Sequence, residues 1–394
     1  MSQKHTIILK KGKDEAIRRF HPWIFSGAIH KIIGEPEEGD LVNVLSANQE
    51  WLALGHYGSE SIAVRIISFD NIEINQEFWK NKINNAFEAR KKCGLVNNKK
   101  TNAFRLIFGE GDGVPGLIID IYHQTAVIQC HTLGIFNAVN DIAIALDSIS
   151  ELKLECIYNK SSSTLGKQSK QKVEDAFIKG SLTSQIITEN EHQFLVDWVD
   201  GQKTGFFLDQ RDNRQLLSRF AKDKTVLNAY CYSGGFSIYA LKAGAKAVHS
   251  VDASQKAITL TEKNLELNNF SSDNNPVILE DVRTYLQNCP MFDVIILDPP
   301  AFAKHHSEKA QAIKGYRNIN AMAIKKLNKG GVLFTFSCSQ AMDRNLFQST
   351  VVSAAILAGR QCRILHHLDQ GADHPLNAFY PEGTYLKGLA LVFD

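Results

Sequence analysis

The stretches ILDPPAF (residues 296–302) and TFSCSQ (335–340) hold the residue types best suited to chemistry in this chain. Each reads as a buried strand. The first ends on a carboxylate, Asp298, and a stiff Pro-Pro turn; the second ends on Ser337-Cys338-Ser339. In a parallel α/β sheet the carboxyl ends of strands line the ligand crevice, so Asp298 and Cys338 can face one substrate from neighbouring strands. A carboxylate, a thiol and a methyl donor are what carbon-5 methylation of a pyrimidine needs. That carbon is a poor nucleophile until something adds to carbon 6. A thiolate makes that addition, the resulting enamine attacks the sulfonium methyl, a base removes the carbon-5 proton, and the thiol leaves. Free cysteine is only a few per cent thiolate near pH 7, so the site must favour the anion or provide a base. Asp298 can hydrogen-bond the base edge and, if protonated in a dry site, stabilise charge at ring N3.

Blander readings stand beside these. A cysteine ending an apolar strand is, taken alone, more often an inert core residue, and Asp298-Pro299-Pro300 can be no more than a strand-terminating turn. Cys231 is a second thiol near the expected donor loop and reads as packing. DPP after a sheet strand also resembles the base-clamping loop of amino-group methyltransferases. There an aromatic follows the second proline; here Ala301 intervenes before Phe302. That shift, with Cys338 one strand over, favours carbon-5 methylation.

The donor site is expected at NAYCYSGGFS (228–237), where the first strand of the sheet ends. Glycine there lets the backbone turn sharply and approach a ligand. Asn228, Tyr230, Ser233 and Gly234 are the candidate contacts from this loop. Asp252, ending the next strand, is the carboxylate for both ribose hydroxyls. Asp281, after the third strand, can accept from an adenine amino group, and Asp298 borders donor and base alike. The glycines do not spell G-x-G-x-x-G, so the set fits an adenosyl cofactor without a pyrophosphate, such as S-adenosylmethionine.

These residues need a sheet to carry them. From about 190 onward strands and helices alternate: TVLNAY (225–230), AVHSV (247–251), PVILE, DVIILD, GVLFTF and LKGLALVF (386–393) are strands, and 254–269 is a helix with Ser254 as its N-cap. Alternation of this kind implies a doubly wound parallel sheet with helices on both faces. Residues 5–70 look instead like short strands of a small β-rich domain or barrel, with LVNVLS (41–46) alternating apolar and polar. Trp79, Ile83, Ala86, Phe87 and Arg90 recur at helical spacing. Between 104 and 190, FRLIF, GLIIDIY and TAVIQC are strand-like, 136–149 is helix-like, and GEGDGVPG (109–116) must be a tight loop.

A chain of 394 residues holds two or three domains. No apolar run approaches a membrane span and no signal-peptide core opens the sequence, so a cytoplasmic protein is expected. Seven scattered cysteines without C-x-x-C argue against a disulfide framework and a zinc site. The adjacent pairs His305-His306 and His366-His367 are poor metal clamps, because neighbours in a strand face opposite ways. A net charge of +2 is uninformative, but two patches are basic. One holds Lys10, Lys11, Lys13, Arg18 and Arg19 with Lys4; the other holds Lys160, Lys167, Lys170 and Lys172. Either is a solvated face or a phosphate-binding surface.

Taken together, RRFHPWIFSGAI (18–29), RLIFGEGDGVPGLIIDIY (105–122), GQKTGFFLDQRDNR (201–214), NAYCYSGGFS, LDPPAFAK, GYRNIN (315–320) and FTFSCS resemble the ribosomal RNA large-subunit methyltransferases of the RlmI type, which carry an N-terminal PUA domain. The match is weak between about 123 and 190. The resemblance implies an α/β protein: a PUA-like β-barrel for RNA binding at 1–72, a helical linker and central mixed α+β domain at 73–190, and a Rossmann-like class I methyltransferase domain at 191–394. It implies S-adenosylmethionine as donor, cytosine-5 methylation of 23S ribosomal RNA, and Cys338 as nucleophile. It places KTGFFLDQR beside the cofactor, with Phe207, Gln210 and Arg211 as contacts. Gln340 follows SCS where some members have glycine, which leaves the target nucleotide open. The rivals are a guanine or amino-group RNA methyltransferase with a structural Cys338, and a non-catalytic RNA-binding or assembly factor that keeps the fold. Ribosomal RNA is the expected partner, membrane and metal are not, and a homodimer is compatible with the sequence.

Overall fold

The computed structural model describes residues 5–165, 173–182, 184–303 and 308–394. His305-His306 and Lys4, Lys167, Lys170 and Lys172 lie outside the described residues. The chain divides into two units. The first comprises Met1–Gln185, Asp197–Gly205 and Ala372–Gly383; the second comprises Ile186–Val196, Phe206–Gly371 and Thr384–Asp394. Two short segments from the C-terminal half thus pack with the N-terminal unit.

In the first unit, β1 (His5–Leu9), β2 (Trp23–Phe25), β3 (Ile29–Ile33), β4 (Leu41–Leu45), β5 (Trp51–Tyr57) and β6 (Ile62–Ser68) form a sheet in the order β2-β6-β5-β4-β1-β3. The alternation of LVNVL is realised: Val42 and Val44 turn inward to meet Ile7, Leu9, Ile24, Val64 and Ile66. A second sheet follows, from β7 (Ala103–Phe108), β8 (Leu117–Tyr122), β9 (Thr125–Cys130), β10 (Cys156–Asn159) and β11 (Ala176–Lys179), ordered β11-β10-β9-β8-β7. The helix Gln76–Lys92, capped by Asn75, lays Trp79, Ile83, Ala86, Phe87 and Arg90 into that core, the same positions its periodicity marks. The helix expected over 136–149 is broken at Ala138 into Leu133–Asn137 and Val139–Asp147.

His56 on β5 is buried, and among the described residues its Nδ1 has no hydrogen-bond partner. A Cβ on Gly134 would come within 2.3 Å of its ring, which is why glycine stands there. Burial pushes the His56 imidazole down to about 4. The unfolded chain protonates near 6.5, whereas the fold resists protonation until about 4. The stability His56 contributes is therefore complete above about pH 6.5 and lost as pH falls towards 4, an amount of about 2–3 kcal/mol. Urea midpoints at pH 7 and pH 4.5 should show this fall, and His56→Asn should flatten it; equal slopes for the two proteins would remove His56 as the cause.

In the second unit a hairpin of β12 (Ile186–Glu189) and β13 (His192–Leu195) precedes the large sheet. That sheet contains β14 (Thr225–Ala229), β15 (Ala247–Asp252), β16 (Val277–Leu279), β17 (Phe292–Leu297), β18 (Leu327–Ser337), β19 (Cys362–Leu368) and β20 (Lys387–Phe393). Its order is β16-β15-β14-β17-β18-β20-β19. The expectation of an all-parallel sheet needs correction, because β20 runs antiparallel between β18 and β19. The alternation of strand and helix stops after β19, and an antiparallel return needs no crossover helix. The central strands are continuous apolar runs, as burial on both faces requires. Helices Val282–Asn288, Lys309–Lys325 and Arg344–Leu357 share one core with Leu227, Val251, Ile295 and Leu333. The strand order reverses between β14 and β17, so the ligand crevice of such a sheet lies at their carboxyl ends.

Candidate active site

The donor loop leaves β14 through three residues in the left-handed region: Tyr230, Tyr232 and Gly234, at φ 62°, 47° and 74°. Two non-glycine residues in that region within three positions mark a backbone held in place by its surroundings. Thr261 Oγ1 donates to the Tyr232 carbonyl at 2.8 Å, and Asn264 Nδ2 donates to the Ser233 carbonyl at 2.8 Å, both from the helix Gln255–Leu267. At Gly234 a Cβ would lie 2.8 Å from Thr261 Cγ2, so glycine is required by both conformation and space.

Asp252 ends β15 and holds this loop. Its Oδ2 accepts from the Tyr232 amide at 3.0 Å and its Oδ1 from the Ser254 amide at 2.9 Å. Each carboxylate oxygen can accept more than one hydrogen bond, so ribose hydroxyls can add to these contacts. Asp281 caps the helix Val282–Asn288, its Oδ1 accepting from Arg283 and Thr284 amides. Tyr230 packs against the core and lies within electrostatic reach of Asp281, Asp252 and Arg283; burial foremost pushes its hydroxyl up to about 12. Asn228 faces inward. It is buried, and its Nδ2 donates to Ser237 Oγ at 2.9 Å, itself 2.7 Å from Ser250 Oγ. Its amide braces the loop from behind. Ser233 is likewise buried. The left-handed turn, the Gly234 cradle and the half-exposed carboxylate at the next strand end fit an adenosyl group: Asp252 would hold the ribose, and Tyr230 and Asp281 would border the adenine.

Asp252→Ala should weaken S-adenosylmethionine binding by about 2–3 kcal/mol, because it removes a charged acceptor and unties the Tyr232 amide together. Isothermal titration checks this, and unchanged affinity would place the ribose elsewhere.

The KTGFFLDQR loop borders the same place. The Phe207 ring meets Tyr232 edge-on at 5.2 Å. Its carbonyl accepts from Arg214 Nη1 at 3.0 Å, while Arg214 Nε and Nη2 bind the buried Glu189 carboxylate at 2.8 Å each. Gln210, expected to meet the donor, is buried and turned to Asp298: its Nε2 donates to Asp298 Oδ2 at 2.9 Å. Asn213 Nδ2 donates to Gln210 Oε1 at 2.6 Å and to the Asp369 carbonyl at 3.0 Å, which fixes the Gln210 amide with its NH2 towards Asp298. Arg211 is buried, with Nε 3.7 Å from Asp212 Oδ1.

Asp298 and Cys338 follow adjacent parallel strands, Leu297 pairing with Thr335. Both are half-buried. Tyr316, from GYRNIN on the helix Lys309–Lys325, is fully buried within electrostatic reach of both, and burial foremost raises its hydroxyl above the ordinary range. Phe302 packs on Tyr316 at 4.6 Å between centroids, with Arg283 over its ring at 5.7 Å. Sequence reasoning assigned no role to Tyr316, Asn213, Arg214 or Glu189. It also missed Lys387, an ionisable residue opening the otherwise apolar strand β20 and buried at 1% exposure.

The first unit carries the residues expected to meet phosphates. Lys10, Lys11, Lys13 and Arg19 are exposed. Arg18 is engaged differently: it binds Asp14 Oδ2 at 2.7 Å and Glu50 Oε2 at 2.5 Å, so its charge is already offset. Trp23 lies outside the barrel core, against Tyr380 and Glu110 Oε1. Among the described residues no helix is long and apolar enough to cross a membrane, and no group of three or more His, Cys, Asp or Glu is arranged for a metal ion. Among the described residues, no disulfide joins any of the cysteines.

Residues 7–69 match the family model of a PUA-like domain, and residues 169–367 match that of the S-adenosylmethionine-dependent methyltransferases. Ribosomal RNA large subunit methyltransferase I of Aeromonas hydrophila is 40% identical over 396 residues, covering 98% of each chain. The protein of the same name from Aliivibrio fischeri MJ11 is 41% identical over 394 residues, again 98% of each. A solved Streptococcus mutans structure, described as a SAM-dependent methyltransferase, superposes with a TM-score of 0.84 at 21% identity, covering 98% of this chain and 99% of its own. Another methyltransferase structure, complexed with SAH, gives 0.85 at 21% identity over the same shares. Fold and donor cradle define an S-adenosylmethionine-dependent methyltransferase with a PUA-like N-terminal domain. The chain belongs to the ribosomal RNA large subunit methyltransferase I family.

Proposed function

We propose that this enzyme methylates carbon 5 of a cytosine in large-subunit ribosomal RNA, with Cys338 as the covalent nucleophile. The relatives' name supports the RNA, and one observation carries the chemistry. Of the seven thiols, Cys338 is the half-exposed one at the carboxyl end of a strand neighbouring that of Asp298. Cys231, the other thiol near the donor loop, is buried against Thr261, and burial pushes it up to about 12. It stays a neutral packing thiol near pH 7.

In this mechanism Cys338 Sγ adds to carbon 6, and Asp298 hydrogen-bonds the N3 edge while Gln210 holds the carboxyl in position. Bound S-adenosylmethionine supplies an electrophilic methyl. Once carbon 5 has taken it, loss of the carbon-5 proton expels the thiolate and restores the base. Unpaired RNA is the cheaper substrate, since flipping a paired base costs a few kcal/mol. Lys10, Lys11, Lys13 and Arg19 would touch phosphates.

The test is an RNA containing 5-fluorocytosine. Fluorine cannot leave carbon 5 as a proton does, so the adduct stalls and a covalent protein–RNA band appears on a denaturing gel. No band, with methylation of the ordinary RNA intact, would favour a guanine or amino-group enzyme with a structural Cys338. No donor binding at millimolar S-adenosylmethionine would favour a non-catalytic factor.

A further inference from the structure

Lys387 is buried at 1% exposure beside the turn that carries Cys338. It opens β20, where it pairs with Ser337 across the antiparallel ladder. Its Nζ donates to the Ser339 carbonyl at 2.8 Å and to the Tyr385 carbonyl at 2.6 Å. The ammonium is thus anchored at the residue following Cys338. Among the described residues its hydrogen-bond acceptors are these two carbonyls, and no carboxylate pairs with it. An ammonium has three N–H donors. A buried cation kept without a hydrogen-bonded carboxylate is costly unless another anion offsets it, and the Cys338 thiol, one residue before the Ser339 carbonyl that Nζ holds, can become one.

We propose that Lys387 is the positioning residue that holds Cys338 as a thiolate. Its catalytic meaning rests on the thiol mechanism above; its effect on the thiol does not. In forming the thiolate the Sγ–H bond breaks, the electron pair stays on sulfur and the proton passes to water. Lys387 remains protonated and changes no bond. When the carbon 6–sulfur bond later breaks, the returning electron pair meets the same positive charge.

Among the described residues, the charges acting on Lys387 come from two places. Cys338 approaches from the end of β18; Asp343 and Arg344, of opposite sign, approach from the start of the helix Arg344–Leu357. Arg344 is itself paired with Asp369, which follows β19. Burial pulls the Lys387 ammonium down to about 8, and a Cys338 thiolate works in the opposite direction. That attraction is mutual: what favours the charged lysine favours the charged thiol. Thiolate reactivity should therefore set in below the ordinary thiol range.

The experiment is alkylation of the full-length protein by iodoacetamide across pH, read at the Cys338 peptide by mass spectrometry. The wild-type midpoint should lie below about 7.5, in the range of cysteines beside a cation. Lys387→Met, close in length and uncharged, should raise it by about one unit or more and slow alkylation at pH 7 about tenfold. Lys387→Arg should keep a low midpoint. An unchanged midpoint in Lys387→Met, with circular dichroism and donor titration like wild type, would overturn the assignment. So would a wild-type midpoint at the ordinary thiol value, which needs no variant to fold. A shifted midpoint without a 5-fluorocytosine adduct would leave Lys387 assigned and remove Cys338 as nucleophile; an adduct without the shift would do the reverse.

Discussion

Cys338→Ala should lower methyl transfer about a thousandfold or more while donor and RNA binding persist, because the lost bond exists only along the reaction path. Cys338→Ser should be nearly as inactive, since an alcohol is a far weaker nucleophile near neutral pH. Cys231→Ala should stay active: that thiol is buried beside Thr261 and lies in the cofactor loop's packing. The measurement is methyl incorporation into ribosomal RNA, with circular dichroism confirming each fold. Substantial turnover by folded Cys338→Ala would sink the carbon-5 mechanism. The purine or amino-group alternative would then stand.

The frame of the site is legible in the sequence because it is local. A strand ending on Asp252, a glycine turn after β14 and the apolar runs before Asp298 and Cys338 each declare themselves within about ten residues, and the structure sets them where those runs end. What is not legible depends on partners far along the chain. Gln210 meets Asp298 across 88 residues and Lys387 meets Ser339 across 48. From the sequence alone, Gln210 is an exposed-looking polar residue in a loop, and only its buried hydrogen bond reveals that it orients a carboxylate. The inward turn of Asn228 is hidden for a related reason. The residue sits at the right place on the strand, but a strand residue can face either way, and Ser237 and Ser250 draw its amide inward. The antiparallel β20 is hidden because direction is not written in an apolar run. Lys387 carried a signal that could have been used: a lysine opening a strand whose other residues are apolar must either be exposed or find a specific environment.

Breaking the Arg214–Glu189 pair should destabilise the second unit by about 3–5 kcal/mol, among the largest effects any single substitution will have here. Arg214 is 3% exposed and Glu189 0%, so neither charge has water to fall back on. Burial opposes the Arg214 charge, yet the facing carboxylate outweighs it and holds the guanidinium above its ordinary value. Glu189 Oε1 also accepts from the Tyr239 hydroxyl at 3.0 Å, and Phe206 lies 4.7 Å from the guanidinium. Arg214→Met therefore strands a carboxylate, and Glu189→Gln strands a cation. Urea midpoints measure both; losses under about 1 kcal/mol would show that water reaches the pair. The double replacement Arg214→Met with Glu189→Leu should recover most of the stability, since an apolar pair of similar volume carries no desolvation cost. It should not recover the donor site. The Phe207 carbonyl would still lack its Arg214 donor, and Phe207 is the ring that meets Tyr232 of the donor loop. S-adenosylmethionine affinity should stay reduced by about 1 kcal/mol in the stable double variant. Full recovery of affinity there would mean that the pair serves the fold alone, and that the KTGFFLDQR loop is held by other contacts.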